Sequence, residues 1–207
     1  MSDRDAVRRA YDAMAETYAD ERSAEGRGTE ILTEFLDALP ERPRVLDAGC
    51  GQGTPVLERL AAVGDPVGLD FSRQQLRLAR ETVPGAPLVR GDMTALPFES
   101  DAFDAVTAFH SLIHVPSDDH ETVLAEFARV LRPGGRVLLT EGCEEWSGEN
   151  PDWLDSGVEM QWDIAGIETT KKQLERAGFA VEDEWLVVDK LADDEVQKPF
   201  LEARLAE

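Results

Sequence analysis

The segment that most constrains this chain is Val45-Leu46-Asp47-Ala48-Gly49-Cys50-Gly51-Gln52-Gly53-Thr54-Pro55, an apolar strand running into a glycine loop and then a helix start. Glycine supplies dihedral angles that a side chain would forbid. Bare backbone at a strand-to-helix turn also lets a nucleotide-like ligand approach closely. A glycine run alone is weak evidence. The dinucleotide fingerprint G-x-G-x-x-G requires glycine or alanine where this chain has Thr54, and the spacing here is G-x-G-x-G.

On either side of the loop the pattern is regular. Val7, Tyr11, Met14 and Tyr18 recur at steps of four, three and four, which predicts one helical face. After the loop Glu25 to Gly28, Thr29 is placed to cap a second helix with Ile31, Leu32, Phe35, Leu36 and Leu39 on its apolar side, closed by Pro40. Strands are then expected at 44–46, 66–69, 86–89, 103–109 and 136–140, the last entered through a turn at Pro133-Gly134-Gly135. Helices fall between them. One is capped by Thr54 with Pro55 at its first position, one by Ser72 with Gln75, and one spans 117–131. Repeated strand and helix with apolar strands implies a parallel sheet covered on both faces. The rhythm stops at 142–167, where Trp146, Trp153 and Trp162 occur without a clear period, a stretch read as a lid or cap. A helix capped by Thr170 with Gln173 follows, then strands at 181–188 and 200–205.

A length of 207 residues suits one α/β domain with a substantial core. The absence of an apolar run of about 18 residues and of a signal-like N-terminus gives the expectation of a cytoplasmic protein with no membrane partner. Two cysteines and three histidines without ligand spacing support neither a disulfide framework nor a metal site. Lys and Arg total 21 against 43 Asp and Glu, a formal net charge of −22. Self-repulsion of that size is best tolerated where salt shortens the screening length, so the composition reads as halophilic, with an ordinary acidic protein as the alternative. An acidic surface also argues against a nucleic-acid substrate, because phosphate contacts need Lys and Arg.

In an open parallel sheet, ligands bind at the carboxyl ends of the strands, where the strand order reverses. Asp47, Asp70, Asp92, His110 and Glu141 fall at the ends of the first five predicted strands. Each acid alone could equally be a helix cap or a solvated carboxylate. Two ribose hydroxyls match a carboxylate acceptor, and an adenine amino group is a donor that needs one. Positive charge on a ligand favours an acidic, partly dry pocket.

VLDAGCGQG, GLDFS, RGDMTALPFESDAFDAV, SLIHVP and LRPGGRVLLTE together resemble the successive motifs of the small-molecule class I S-adenosylmethionine (SAM) dependent methyltransferases, strongly over residues 40 to 142. The resemblance implies a Rossmann-like α/β fold: a seven-stranded, mostly parallel sheet with helices on both faces and an antiparallel last strand. It implies one domain over 1–207, with a helical cap (1–40), a cofactor-binding core (41–142), a lid (143–167) and a C-terminal helix and strands (168–207). The implied cofactor is SAM. Asp70 would take its ribose hydroxyls, Phe71 would flank adenine, and Asp92 with the Met93 backbone would meet the ring. Asp47, Gly49, Cys50 and Gly51 would lie along the methionine portion, and the backbone at Phe109 and His110 would receive its ammonium group. Tyr11 or Tyr18 would close over the cofactor, with core packing as the alternative for both.

Methyl transfer needs mainly alignment, which can be worth about 7–11 kcal/mol. Where the nucleophile must lose a proton, His110 and His114 are the candidate bases, with a structural hydrogen bond as the other reading of His114 and Glu141 a weaker candidate. Trp146 and Trp162 are candidate walls for the acceptor, or seals of the lid. The Asn/Asp-Pro-Pro-Tyr motif of enzymes acting on exocyclic amines of nucleic-acid bases is absent, since the chain reads His110-Ser111-Leu112-Ile113 after the fourth strand. The reading is therefore transfer to a small-molecule acceptor. A nicotinamide-dependent oxidoreductase and a non-catalytic SAM-binding protein remain as alternatives.

Overall fold

A computed structural model of the protein describes residues 3–22, 25–191 and 194–207. Two short helices, α1 (Arg4–Ala13) and α2 (Ala15–Glu21), replace the single helix expected from the apolar spacing. The break falls at Met14, whose φ/ψ of −109°/17° leave the helical region. The apolar side survives the break, because Val7, Tyr11 and Met14 are buried in one cluster with Tyr18 against it. In α3 (Arg27–Asp37), Thr29 lies in the first turn instead of at the cap. Its hydroxyl donates to the Gly26 carbonyl and accepts the Gly26 N–H.

The core then alternates β1 (Arg44–Ala48), α4 (Val56–Val63), β2 (Asp65–Asp70), α5 (Arg73–Thr82), β3 (Leu88–Arg90), β4 (Phe103–Ala108), α6 (His120–Val130) and β5 (Leu131–Thr140). Ser72 caps α5 as expected, accepting the Gln75 N–H at 3.1 Å. Thr54 caps nothing, because α4 starts after Pro55 without a side-chain cap. Residues 117–119 form a separate 3-10 turn ahead of α6. Pro133-Gly134-Gly135 lies inside β5 as an irregularity, since Leu131 already pairs with Phe103 and the regular ladder resumes at Arg136 opposite Ala105.

The tryptophan-bearing stretch is an antiparallel ribbon, β6 (Trp146–Asn150) and β7 (Met160–Ile164), with Trp146 opposite Ile164 and Asn150 opposite Met160. Its regularity escaped the sequence because the faces do not alternate in polarity: Gly148 faces Trp162 and Ser147 faces Asp163. After it come α7 (Ile167–Arg176), β8 (Phe179–Leu191) and β9 (Asp194–Leu205). Thr170 is buried inside α7 and does not cap it; the position before the helix is Gly166.

The main sheet has the order β3-β2-β1-β4-β5-β9-β8. The ladders β1–β2, β1–β4, β2–β3 and β4–β5 are parallel, and β9 enters antiparallel between β5 and β8. This is the seven-stranded, mostly parallel arrangement with an antiparallel last strand. Alternation along the strands sorts the core onto two faces. Val45, Ala105 and Leu138 pack with Ile31, Leu32 and Phe35 of α3 and with Val56 and Leu60 of α4. Their neighbours Leu46, Val106, Val137 and Leu139 pack with Val123, Leu124 and Phe127 of α6 and Leu174 of α7. Each such fully buried side chain contributes roughly 1.5–3 kcal/mol, so β1 and β4 give the site a packed platform. The strand order reverses between β1 and β4, and the crevice opens at their carboxyl ends. No described helix is long and apolar enough to cross a membrane.

Candidate active site

A cavity at this reversal is lined by Gly49 and Gly51 of the glycine loop, Asp70 and Phe71 after β2, Asp92 and Met93 after β3, and Phe109, His110, Ser111 and His114 after β4. Tyr11 and Tyr18 close it from the N-terminal helices. The predicted strand-end residues Asp70, Asp92 and His110 thus converge in one place, whereas Asp47 is buried and does not line the cavity.

The glycine loop earns its dihedrals here. Gly49 and Gly51 have φ of +82° and +52°, and a Cβ on Gly49 would stand 2.4 Å from the Ser111 Cβ. Ser111 is fixed in turn by donating its hydroxyl to the Ala48 carbonyl. The Asp70 carboxylate is buried, with Oδ2 accepting the Gly51 N–H at 2.9 Å and Oδ1 the Ser72 N–H at 2.8 Å. One side chain therefore ties the loop to the start of α5. Burial nonetheless pushes its pKa up to about 6. Asp47 is also buried. Its Oδ1 accepts from the Thr107 hydroxyl at 2.9 Å, while Oδ2 has no hydrogen-bond partner. Burial raises its pKa to about 7, with the neighbouring Asp70 charge acting in the same direction. An orphaned carboxylate oxygen and a second acid beside it make a site that a positively charged ligand would relieve.

Asp92 is more exposed. It accepts from the Thr94 N–H and hydroxyl on Oδ1, and Arg4 of α1 donates to Oδ2 at 3.1 Å. Arg4 was not legible as a site residue, since it lies 88 positions upstream in a charged helix face. Two further bonds dock α1: Asp12 accepts from the Ser72 hydroxyl at 2.7 Å, and the Asp3 N–H donates to the Gln161 side chain of β7.

The histidines divide. His114 is buried, and its Nδ1 lies 3.0 Å from the Gln161 carbonyl, which can only accept. Nδ1 therefore carries the proton, and Nε2 accepts the Tyr11 hydroxyl at 2.8 Å. Burial holds its pKa down to about 4. With the lone pair already engaged, His114 ties α1 to β7, the structural reading of this residue, and the geometry does not present it as a base. His110 has a φ of +52°, its N–H donates to the Thr140 hydroxyl at 2.6 Å, and its ring borders the cavity. Burial, then the charges of Arg22 and Lys198, hold its pKa well below 6.5.

Other predicted residues stand apart from the cavity. The Cys50 side chain lies among Leu57, Leu76, Ala79 and Val83, where burial pushes its thiol well up, and it does not line the cavity. Glu141 is buried toward α7, accepting from the Thr170 hydroxyl and the Gly142 N–H, with a pKa raised by burial to about 7. Trp146 is 50% exposed and does not line the cavity. Trp162 does not line the cavity; it meets Trp153 edge-on with ring centroids 5.3 Å apart and lies tilted against His114 at 5.9 Å. Trp153, which touches both Tyr11 and Tyr18, is the aromatic that sequence reasoning passed over. No group of three or more His, Cys, Asp or Glu suited to a metal occurs among the described residues.

A glycine loop, acids at successive strand ends and a switch-point cavity define a nucleoside-binding protein of the Rossmann-like class. The methyltransferase domain family matches residues 45–135. Demethylmenaquinone methyltransferase of Streptomyces avermitilis is 37% identical over 135 residues, covering 63% of this chain and 58% of that protein. The Staphylococcus aureus JH9 protein of the same name is 30% identical over 167 residues, 66% of this chain and 67% of that protein. Among solved structures, a SAM-dependent methyltransferase of Methanosarcina mazei superposes with a TM-score of 0.75 at 21% identity, covering 84% of this chain and 98% of that one. The chain belongs to the class I SAM-dependent methyltransferase family. It spans 58%, 43% and 47% of the length of three of the curated relatives it matches.

Proposed function

We propose that this protein transfers a methyl group from SAM to a small-molecule acceptor. The observation that carries the reading is the convergence of Asp70 and Asp92, from two separate strand ends, with the glycine loop on one crevice. Bound there, SAM supplies a methyl group already activated by a sulfonium charge. Asp70 would hold the ribose hydroxyls and Asp92 the adenine amino group, with Phe71 and Met93 against the ring. Gly49 and Gly51 leave room for the methionine portion, and the buried, unpartnered oxygen of Asp47 adds negative charge behind the loop. Tyr11, Tyr18 and Trp153 exclude water from above. His110, at the border of the cavity, is the candidate to take a proton from the acceptor.

Demethylmenaquinone methyltransferases among the relatives favour a ring acceptor related to quinones. The test is incubation with methyl-labelled SAM and candidate quinols. Label in an extractable small product supports the reading. Tight SAM binding without any transferred label, across quinols and a metabolite extract at low and high salt, would instead support a non-catalytic binding protein.

A further inference from the structure

We propose that Gln75 is a cofactor-binding residue, its side-chain amide donating to a ribose hydroxyl whose proton goes to Asp70; this rests on the methyltransferase reading above. Gln75 is the third residue of α5, and a capping box would send its side chain back to the Ser72 N–H. Asp70 already takes that N–H at 2.8 Å, and the Ser72 hydroxyl accepts the Gln75 N–H. The local task is therefore done without the amide. Gln75 is nonetheless only 1% exposed, and neither its Oε1 nor its Nε2 has a hydrogen-bond partner. Burying an amide in that state opposes folding, and native proteins seldom leave one so without a use for it. Among the described residues, Asp47, Gln75, His120 and Gln173 carry buried side-chain polar atoms without partners, and of these Gln75 alone lines the cofactor cavity. Its Oε1 lies 3.7 Å from where a Cβ on Gly51 would stand, so the amide reaches the glycine loop.

An amide that lacks both a donor and an acceptor partner asks for a group that can be both. In SAM the carboxylate only accepts, the ammonium only donates and the sulfonium does neither, whereas each ribose hydroxyl does both. The adenine edge also offers a donor and an acceptor, but in the placement proposed above the base lies at Asp92 and Met93, beyond β3, while Gln75 meets the loop at Gly51. Asp70 is the other half of the pair. Its two oxygens already take the Gly51 and Ser72 N–H groups, and a carboxylate has nothing to donate. Asp70 can therefore receive a hydroxyl proton but cannot serve the hydroxyl oxygen, and the Gln75 NH2 supplies that missing donor. A deoxyribose would leave the amide without its partner, which is how a site of this kind rejects an analogue lacking a hydroxyl. The ligand-free protein carries the unpartnered amide as a cost to stability, exchanged for recognition.

The test is calorimetry on the full chain at about pH 8, where Asp70 is ionised, with S-adenosylhomocysteine and its 2′-deoxy and 3′-deoxy analogues as ligands. The parent is compared with Gln75→Met, which keeps the length of the side chain without its polar atoms. The parent should bind S-adenosylhomocysteine at least tenfold more tightly than one of the deoxy analogues. Gln75→Met should lose at least fivefold for S-adenosylhomocysteine and less than twofold for that analogue, and without ligand it should melt no lower than the parent. Equal affinity of parent and variant for S-adenosylhomocysteine, or the same loss for all three ligands, overturns the proposal and leaves the methyltransferase reading standing. A ligand-free variant that melts lower, or does not fold, marks a structural amide and overturns it too. Failure of S-adenosylhomocysteine to bind the parent overturns both.

Discussion

Asp70 concentrates more of the account than any other side chain, because its two oxygens organise the loop and α5 while lining the cavity. Asp70→Ala should cost S-adenosylhomocysteine affinity roughly 1.5–3 kcal/mol, the scale of hydrogen bonds to a charged group, with circular dichroism showing a retained fold. Gly49→Ala forces a side chain into left-handed backbone and against Ser111. Strain of about 1–3 kcal/mol should appear as a lower melting temperature together with weakened binding. Protonation adds a signed prediction. Asp47 and Asp70 hold their protons up to about 7 and about 6 in the ligand-free protein, and a cationic ligand favours their ionised forms. Binding should therefore release protons, and affinity should fall as pH drops from 8 to 5, measured by calorimetry in buffers of different ionisation heat. For stability the sign follows from the raised pKa of Asp47. Between pH 4 and 7 the unfolded chain loses this proton and the folded one keeps it, so its contribution falls with rising pH. Asp47→Asn should gain stability relative to the parent across that window, read from paired melting curves. What the sequence did show at this scale was chemistry type and strand-end position. It did not show partners: Arg4 on Asp92 and Tyr11 on His114 join residues 88 and 103 positions apart, and no local pattern encodes such pairs.

At the scale of elements, the parallel core was legible because each strand is a short apolar run ended by a polar residue, and because Ser72 caps α5 through a local bond. Boundaries slipped where glycine and proline were read as turns. Leu131 to Thr140 is one strand despite Pro133-Gly134-Gly135, since pairing to β4 resumes after the irregularity. The ribbon β6–β7 was read as a lid without elements, because its strands carry no alternation of burial. The ribbon packs against α1, whose Tyr11 lines the cavity, and His114 is the tie between them. His114→Phe should therefore loosen this packing, raising KM for SAM several-fold while the pH profile of kcat keeps its shape. A His114 acting as base would instead shift that profile. His110→Ala is the contrasting variant, in which the methyl-transfer step itself should respond.

Taken as a whole, the molecule carries a net charge of −22, and repulsion among its acids is screened over about 8 Å at 0.15 M salt and about 3 Å at 1 M. The melting temperature should rise between 0.1 and about 2 M KCl, and indifference to salt would argue for an ordinary acidic protein. The central claim is that this crevice holds SAM through aspartates brought from separate strands. Its most direct test is calorimetric titration of SAM into the intact protein beside the Asp70→Ala variant and beside NAD as a competing ligand. The account predicts one SAM site per chain, sharply weakened in the variant, and no heat from NAD. Equal SAM affinity in both proteins, or saturable binding of NAD in place of SAM, would contradict it.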